Sequence, residues 1–150
     1  MAADEISVER LTEYSDEVAA ELGAFTPYLY PERAATPVDK AQLEAIIVSP
    51  DRDMLLAVKA GRIVGKATVN LVVTESYSKV HLDNFATHED VRGSGLGRAL
   101  WEELVVWGRQ RGASYLTLVT SSEAAIDFYT HRGAIESPDR YFKTAIEEPN

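Results

Sequence analysis

Ten residues constrain this chain more than any others: Val91-Arg92-Gly93-Ser94-Gly95-Leu96-Gly97-Arg98-Ala99-Leu100. Three glycines at alternating positions leave a backbone with few side chains in the way, which a ligand can approach closely. The residues that follow, Leu100-Trp101-Glu102-Glu103-Leu104-Val105-Val106-Trp107, put apolar side chains at helical spacing. The loop therefore opens into a helix N-terminus, with free N–H donors and the positive end of the helix dipole, and Arg92 and Arg98 add charge. Such an arrangement predicts an anion site, with phosphate the natural ligand.

What is missing narrows the kind of phosphate site. No Lys-Ser or Lys-Thr follows the last glycine, so this is not a nucleoside-triphosphate loop. The spacing Gly93-x-Gly95-x-Gly97 also fails the dinucleotide pattern, whose third glycine comes one residue later and whose acidic partner sits at the end of a second strand. The corresponding stretch here, Tyr115-Leu116-Thr117-Leu118-Val119, ends in Thr120-Ser121-Ser122. Taken alone, the glycines also permit a simple turn without a ligand.

The whole chain bounds the remaining classes. Its 150 residues suit a single domain, 1–150, large enough to bury a core without metal or disulfide. There is no cysteine, which excludes thiol catalysis and thiolate metal sites. His81, His88 and His131 show no metal-ligand spacing, so no metal is expected. A formal net charge of −9 argues against nucleic acid as a partner. Met1 to Glu5 is acidic and lacks the apolar run of a signal peptide. No apolar stretch approaches the roughly 18 residues that span a bilayer, so a soluble, cytoplasmic protein is expected.

Along the chain, Ile6 to Leu11 reads as a strand and Glu13 to Leu22 as an amphipathic helix. Residues 23–31, with two prolines and three aromatics, read as irregular. Thr36-Pro37 reads as a helix start, cap then proline, leading into Lys40 to Val48. Strands are expected at Met54 to Lys59, Arg62 to Thr74 and Lys79 to Thr87, with Ala60-Gly61 and Glu75 to Ser78 as turns. A helix over 95–111, a strand at Tyr115 to Thr120, a helix at Glu123 to His131 and a last strand at Tyr141 to Ile146 complete the order β-α-α-β-β-β-α-β-α-β. This is a mixed α+β domain around one largely antiparallel sheet, with the unit 79–120 setting two neighbouring strands parallel.

This order, with the glycine loop after the middle strand, resembles the GCN5-related N-acetyltransferase superfamily. That family's signature is Arg or Gln, two residues, Gly, one residue, then Gly or Ala. Arg92-Gly93-Ser94-Gly95-Leu96-Gly97 matches it in full, and the strand His81 to Thr87 precedes it at the usual distance. A second family block is similar to Ser122-Glu123-Ala124-Ala125-Ile126-Asp127-Phe128-Tyr129-Thr130-His131-Arg132-Gly133. Ser122 replaces a frequent Asn, and Ala134 replaces the usual aromatic after the glycine.

The resemblance implies acetyl-CoA as cofactor. Its pyrophosphate would lie on loop amides from Gly93 through Arg98, that is Gly93, Ser94, Gly95, Leu96, Gly97 and Arg98, beside Arg92. Its amide-rich arm would pair with main-chain groups of Phe85, Ala86 and Thr87, where the family's strand splays from the next one. Ser122 and Ala125 fall in the second cofactor-binding block. Acetyl transfer to an amine needs a neutral amine, a donor for the carbonyl oxygen and a proton for the leaving thiolate. Tyr129 matches the family tyrosine that sits near the sulfur and is the general-acid candidate. Asp83 matches a position where some members carry an acidic residue, and is the candidate base. Strand alternation puts His81, Asp83 and Phe85 on one face, so His81 or a water is an alternative relay.

The acceptor is walled in this family by the segment Phe25 to Arg33 and by the turn at Glu75 to Tyr77. Phe25, Tyr28, Tyr30 and Tyr77 supply aromatic surface there, and Glu32 and Glu75 negative charge, which suits a small cationic amine. Protein N-termini, lysines, amino sugars, polyamines and amino acids all remain open as acceptors. A non-catalytic CoA-binding module is the alternative class, and a homodimer is compatible with the family.

Overall fold

The computed structural model describes residues 5–147; the acidic start at Met1–Asp4 and the acidic Glu148 near the other end lie outside the described residues. The chain divides into two compact units, Met1–Leu118 and Val119–Asn150. The first holds a five-stranded sheet of order β1-β2-β3-β4-β5. Its strands are β1 (Ile6–Arg10), β2 (Arg52–Lys59), β3 (Arg62–Val73), β4 (Ser78–Thr87) and β5 (Tyr115–Leu118). Its helices are α1 (Asp16–Gly23), the single turn α2 (Thr26–Leu29), α3 (Lys40–Val48) and α4 (Leu96–Gln110). The first four strands pair antiparallel in sequence, and β4 pairs parallel with β5. This is the mixed, mostly antiparallel architecture expected from the pattern.

Local chemistry explains most boundaries. Ser15 starts α1, its hydroxyl accepting the Val18 N–H at 3.0 Å, so the helix begins later than periodicity alone suggests. The stretch read as irregular contains the short α2, which tolerates Pro27 because a first-turn residue needs no N–H. Thr36-Pro37 is not the cap of α3, which is preceded instead by Asp39. Its backbone crosses the end of α1: the Thr36 carbonyl occupies the space a Cβ on Gly23 would fill, and the Val38 N–H donates to Ala19 O at 3.0 Å. A tertiary crossing has claimed a dipeptide that reads locally as a helix signal.

The sheet is covered on both faces, which accounts for the nearly unbroken apolar runs of β2 and β3. Met54, Leu56 and Ile63 pack with Leu22, Phe25 and Leu43 from the α1–α3 side. Ala57 and Val64 pack with Leu96 and Val91 at the start of α4. Farther along α4, Leu100 and Leu104 are fully buried, each contributing about 2 kcal/mol of apolar burial. No described helix is long and apolar enough to cross a membrane.

The second unit carries α5 (Glu123–Thr130), capped by Ser122. The expected strand at Tyr141 to Ile146 is absent: residues 141–146 carry no regular structure. A strand needs a neighbour to take its backbone groups, and this unit has no other strand among its described residues. Tyr141-Phe142 side by side also break the alternation a half-buried strand requires, and Phe142 is 82% exposed.

Candidate active site

The glycine loop takes the conformation its composition allows. Gly93 and Gly95 have φ of +85° and +84°, a region side chains rarely enter, and Gly95 is the residue before α4. A Cβ at either would meet nothing within 4 Å, so the space above the loop is open. The bond from Ala99 N–H to Gly95 O, 3.0 Å, closes the first turn of α4, and the amides of Leu96, Gly97 and Arg98 precede that ladder. Leu96 contributes only its backbone, because its side chain is buried. A Cβ on Gly65 of β3 would come within 2.7 Å of it. Ser94 is turned inward, its N–H and hydroxyl both donating to the Val91 carbonyl. The loop is anchored by the His88 N–H on Val64 O at 2.9 Å and by an Arg62–Asp90 ion pair at 3.2 Å. The Arg98 side chain pairs with Glu102 at 3.2 Å.

Just before the loop, β4 changes partners. Its ladder to β5 runs from Lys79↔Tyr115 to Leu82↔Leu118 and stops there. Phe85, Ala86 and Thr87 lie beyond it, where the cofactor arm was expected. On the other side, Lys66 pairs with Ala86 and Thr68 with Asp83, so β4 carries one residue more than β3 between these pairs. This bulge is centred on Asn84, whose φ is +52°. Directly paired residues share a face, so Asp83 and Ala86, three apart, lie together on the side of Lys66 and Thr68. Strict alternation placed Phe85 beside Asp83; the bulge reverses the parity and gives that face to Ala86.

His81 and Asp83 precede the bulge and keep their common face. The His81 Nε2 lies 3.7 Å from Asp83 Oδ1, and His81 Nδ1 is 2.8 Å from Thr117 Oγ1 on β5. The Asn70 amide on β3 donates at 3.0 Å to Asp83 Oδ2 and to the His81 carbonyl. The contact with Thr117 fixes the imidazole so that its Nε2 edge faces Asp83. Asp83 remains 53% exposed, so it is held in place yet open to a ligand. Thr117 and Asn70 had no sequence signal, since only strand register brings them to this carboxylate.

Of the aromatic residues expected to wall the acceptor, Phe25 and Tyr28 meet edge to face with ring centroids 6.1 Å apart, while Tyr77 lies far from them. Phe25 is fully buried in the core and cannot meet a ligand directly; it stacks on His88 with ring centroids 4.3 Å apart. Tyr28 is half-buried, its hydroxyl 3.4 Å from His88 Nδ1 and the Arg92 guanidinium 5.4 Å above its ring. Burial, reinforced by the nearby positive Arg62, pulls the His88 pKa below its ordinary value. Tyr30 holds Arg33 over its ring at 4.2 Å. Tyr77 lies at the opposite end of β4, some 30 Å of strand away, beside Tyr115 and Lys79. Glu32 and Glu75 are both exposed.

Lys66 was not anticipated. It is 6% exposed, and its Nζ lies 6.0 Å from the Phe25 ring centroid. Burial lowers its pKa to about 8. The available signal was a lone lysine inside the apolar run Ile63 to Val69.

In the second unit, Ser122 and Ala125 are tied together as a helix cap, the Ser122 hydroxyl accepting the Ala125 N–H at 3.3 Å. Tyr129 is buried, in edge contact with Phe128 at 5.4 Å. Burial pushes its phenol up to about 12, so it is a proton donor throughout the neutral range.

A partly parallel sheet whose middle strand leaves its neighbour halfway, followed by a glycine loop at a helix N-terminus, defines the class of acyl-CoA-dependent acyltransferases. Residues 14–134 match the model of the Acetyltransferase (GNAT) family. The chain belongs to that family. Among solved structures it is similar to an aminoglycoside acetyltransferase from an uncultured soil metagenomic sample, in complex with sisomicin, at 16% identity and TM-score 0.79, covering 93% of this chain and 96% of the other. A second soil metagenomic aminoglycoside acetyltransferase aligns at 19% identity and TM-score 0.81, covering 95% and 99%. An acetyltransferase of Trypanosoma brucei aligns at 20% identity and TM-score 0.74, covering 95% and 100%. No curated protein matches the sequence.

Proposed function

We propose that this protein transfers the acetyl group of acetyl-CoA directly to a primary amine of a small molecule. The observation that carries this reading is the pair of left-handed glycines, open to solvent, set directly after a strand whose pairing to β5 ends halfway. These residues fit the cofactor. Backbone donors of Gly93, Gly95, Leu96, Gly97 and Arg98 suit a pyrophosphate, with Arg92 beside them. Main-chain groups of Phe85, Ala86 and Thr87 suit an amide-rich arm. Ser122 and Ala125, engaged with each other as a cap, serve by holding the start of α5.

Bound acetyl-CoA supplies a thioester with a transferable acetyl group. Asp83, oriented by Asn70 and flanked by His81, takes the proton of the incoming ammonium, directly or through water. Tyr129 holds the proton that the departing sulfur requires, and a main-chain N–H of the segment 85–87 meets the negative charge on the carbonyl oxygen. Tyr28 and Tyr30 are the aromatic surface available to an acceptor. The two similar aminoglycoside acetyltransferases support a small-molecule amine as that acceptor.

A thiol-release assay with acetyl-CoA and a panel of amines, run on wild type and Tyr129→Phe, tests the proposal. Release selective for one amine class, falling about 100-fold in the variant, is the expected result. Acetyl-CoA that protects the protein from thermal unfolding without release on any amine would identify a binding module instead.

A further inference from the structure

Lys66 is the one charged residue inside the buried part of β3, and its environment lacks what a buried ammonium requires. Among the described residues no carboxylate pairs with it and no acceptor takes its protons; its recorded contact is the face of Phe25 at 6.0 Å. Isolated buried charges are unfavourable unless something neutralises them. Among the described residues the one sealed side-chain polar atom without a hydrogen-bond partner is Arg132 Nε, so the Lys66 Nζ, on a side chain only 6% exposed, keeps a narrow contact with solvent.

What shares that face identifies the missing partner. Lys66 stands opposite Ala86, and Thr68, two residues on, stands opposite Asp83. Asp83 is the diagonal neighbour of Lys66, roughly 7–8 Å away between strands. A cation and the proposed catalytic base thus rise from one face, while His88 stacks behind Phe25. An acceptor whose ammonium meets Asp83 reaches Lys66 with a group only a few ångströms from that nitrogen.

We propose that Lys66 binds an anionic oxygen group, carboxylate or phosphate, carried by the acceptor near its amine, so that the substrates are amino acids or phosphorylated amines rather than simple polyamines. This rests on the acyltransferase reading above. The acid provides the counter-charge that the fold withholds from Lys66, and the amine lies where Asp83 can deprotonate it.

The test compares paired acceptors, ornithine with putrescine and O-phosphoethanolamine with ethanolamine, in the thiol-release assay on wild type, Lys66→Met and Lys66→Gln. Calorimetric titration of the same amines in the presence of CoA reads the preference where transfer is slow. Wild type is expected to favour at least one acid-bearing partner by about tenfold or more in kcat/KM, and both variants to bring that ratio near one by raising KM. Which pair shows the effect separates carboxylate from phosphate. Melting temperature and protection by acetyl-CoA establish that the variants are folded. A wild-type ratio at or below one in both pairs, or a ratio that both variants retain, overturns the anion site and leaves acyl transfer standing. Equal loss of kcat on every amine in both variants would make Lys66 part of the proton relay and likewise overturn it. Failure of CoA release on every amine overturns acyl transfer, and the calorimetric ratio then decides the anion site alone.

Discussion

The indole Nε1 of Trp107 donates to Asp53 Oδ2 at 2.7 Å, joining α4 to β2 beneath the sheet. Asp53 is buried, and the same carboxylate lies 3.7 Å from Arg10 and 3.6 Å from Arg111, whose guanidinium also covers the Trp107 ring at 4.2 Å. One acid therefore satisfies an indole and balances two cations from β1 and from the end of α4. Removing it leaves the buried indole N–H without its acceptor and takes the counter-charge from Arg111. Asp53→Ala is expected to lower the unfolding free energy by about 2–4 kcal/mol. Trp107→Phe should cost less, and the double variant less than the sum of the two, because the losses share one contact. Urea melts of the four proteins check this; strict additivity would show that the contact contributes nothing.

Lys66 ties stability to alkaline pH. Its pKa is about 8 in the fold against an ordinary 10.5, so above pH 8 the unfolded chain holds more protons at this site and stability rises with pH. The gain is complete near the unfolded value and amounts to about 3 kcal/mol. Lys66→Met, which keeps the stem and deletes the charge, should be more stable than wild type at pH 7, and the advantage should shrink between pH 8 and 10.5. Chemical denaturation at several pH values measures the difference directly. A variant less stable at pH 7, or an advantage independent of pH, would contradict the burial penalty.

Two groups of opposite duty should leave separate marks on the kinetics. Tyr129, with its phenol held up to about 12 by burial, should produce no descending limb below pH 10 in kcat. Asp83→Asn should lower kcat/KM about 100-fold while acetyl-CoA still protects the protein from thermal unfolding. Initial rates from pH 6 to 10 on both proteins test this. A descending limb near pH 9 that vanishes in Tyr129→Phe would mean a phenol far less buried than the structure has it, and an Asp83→Asn rate equal to wild type would remove Asp83 from the mechanism.

The conformation of the glycine loop is local and was therefore legible. Gly93 and Gly95 are needed for positive φ wherever the chain goes next, and the apolar stripe Leu96, Leu100, Leu104, Trp107 makes a helix that can only bury that stripe. The proposed roles of Tyr129 and of acetyl-CoA come from the family motif, since no local rule supplies them. The last strand failed for a non-local reason: Tyr141 to Ile146 has the composition of a strand, but a strand exists only with a partner.

Sequence by itself determined the loop, the helix it opens and the order of the five strands that form, because dihedral preference and periodicity act over a few neighbouring residues. Tertiary structure alone decided what stands beside what. The bulge at Asn84 turned Ala86 rather than Phe85 toward Asp83. Register brought Asn70 and Thr117 to the Asp83–His81 pair. Packing sank Phe25 into the core and buried Lys66 with it. These are consequences of cross-strand pairing and close packing between residues far apart in the chain, where a shift of one residue moves a side chain to the other face.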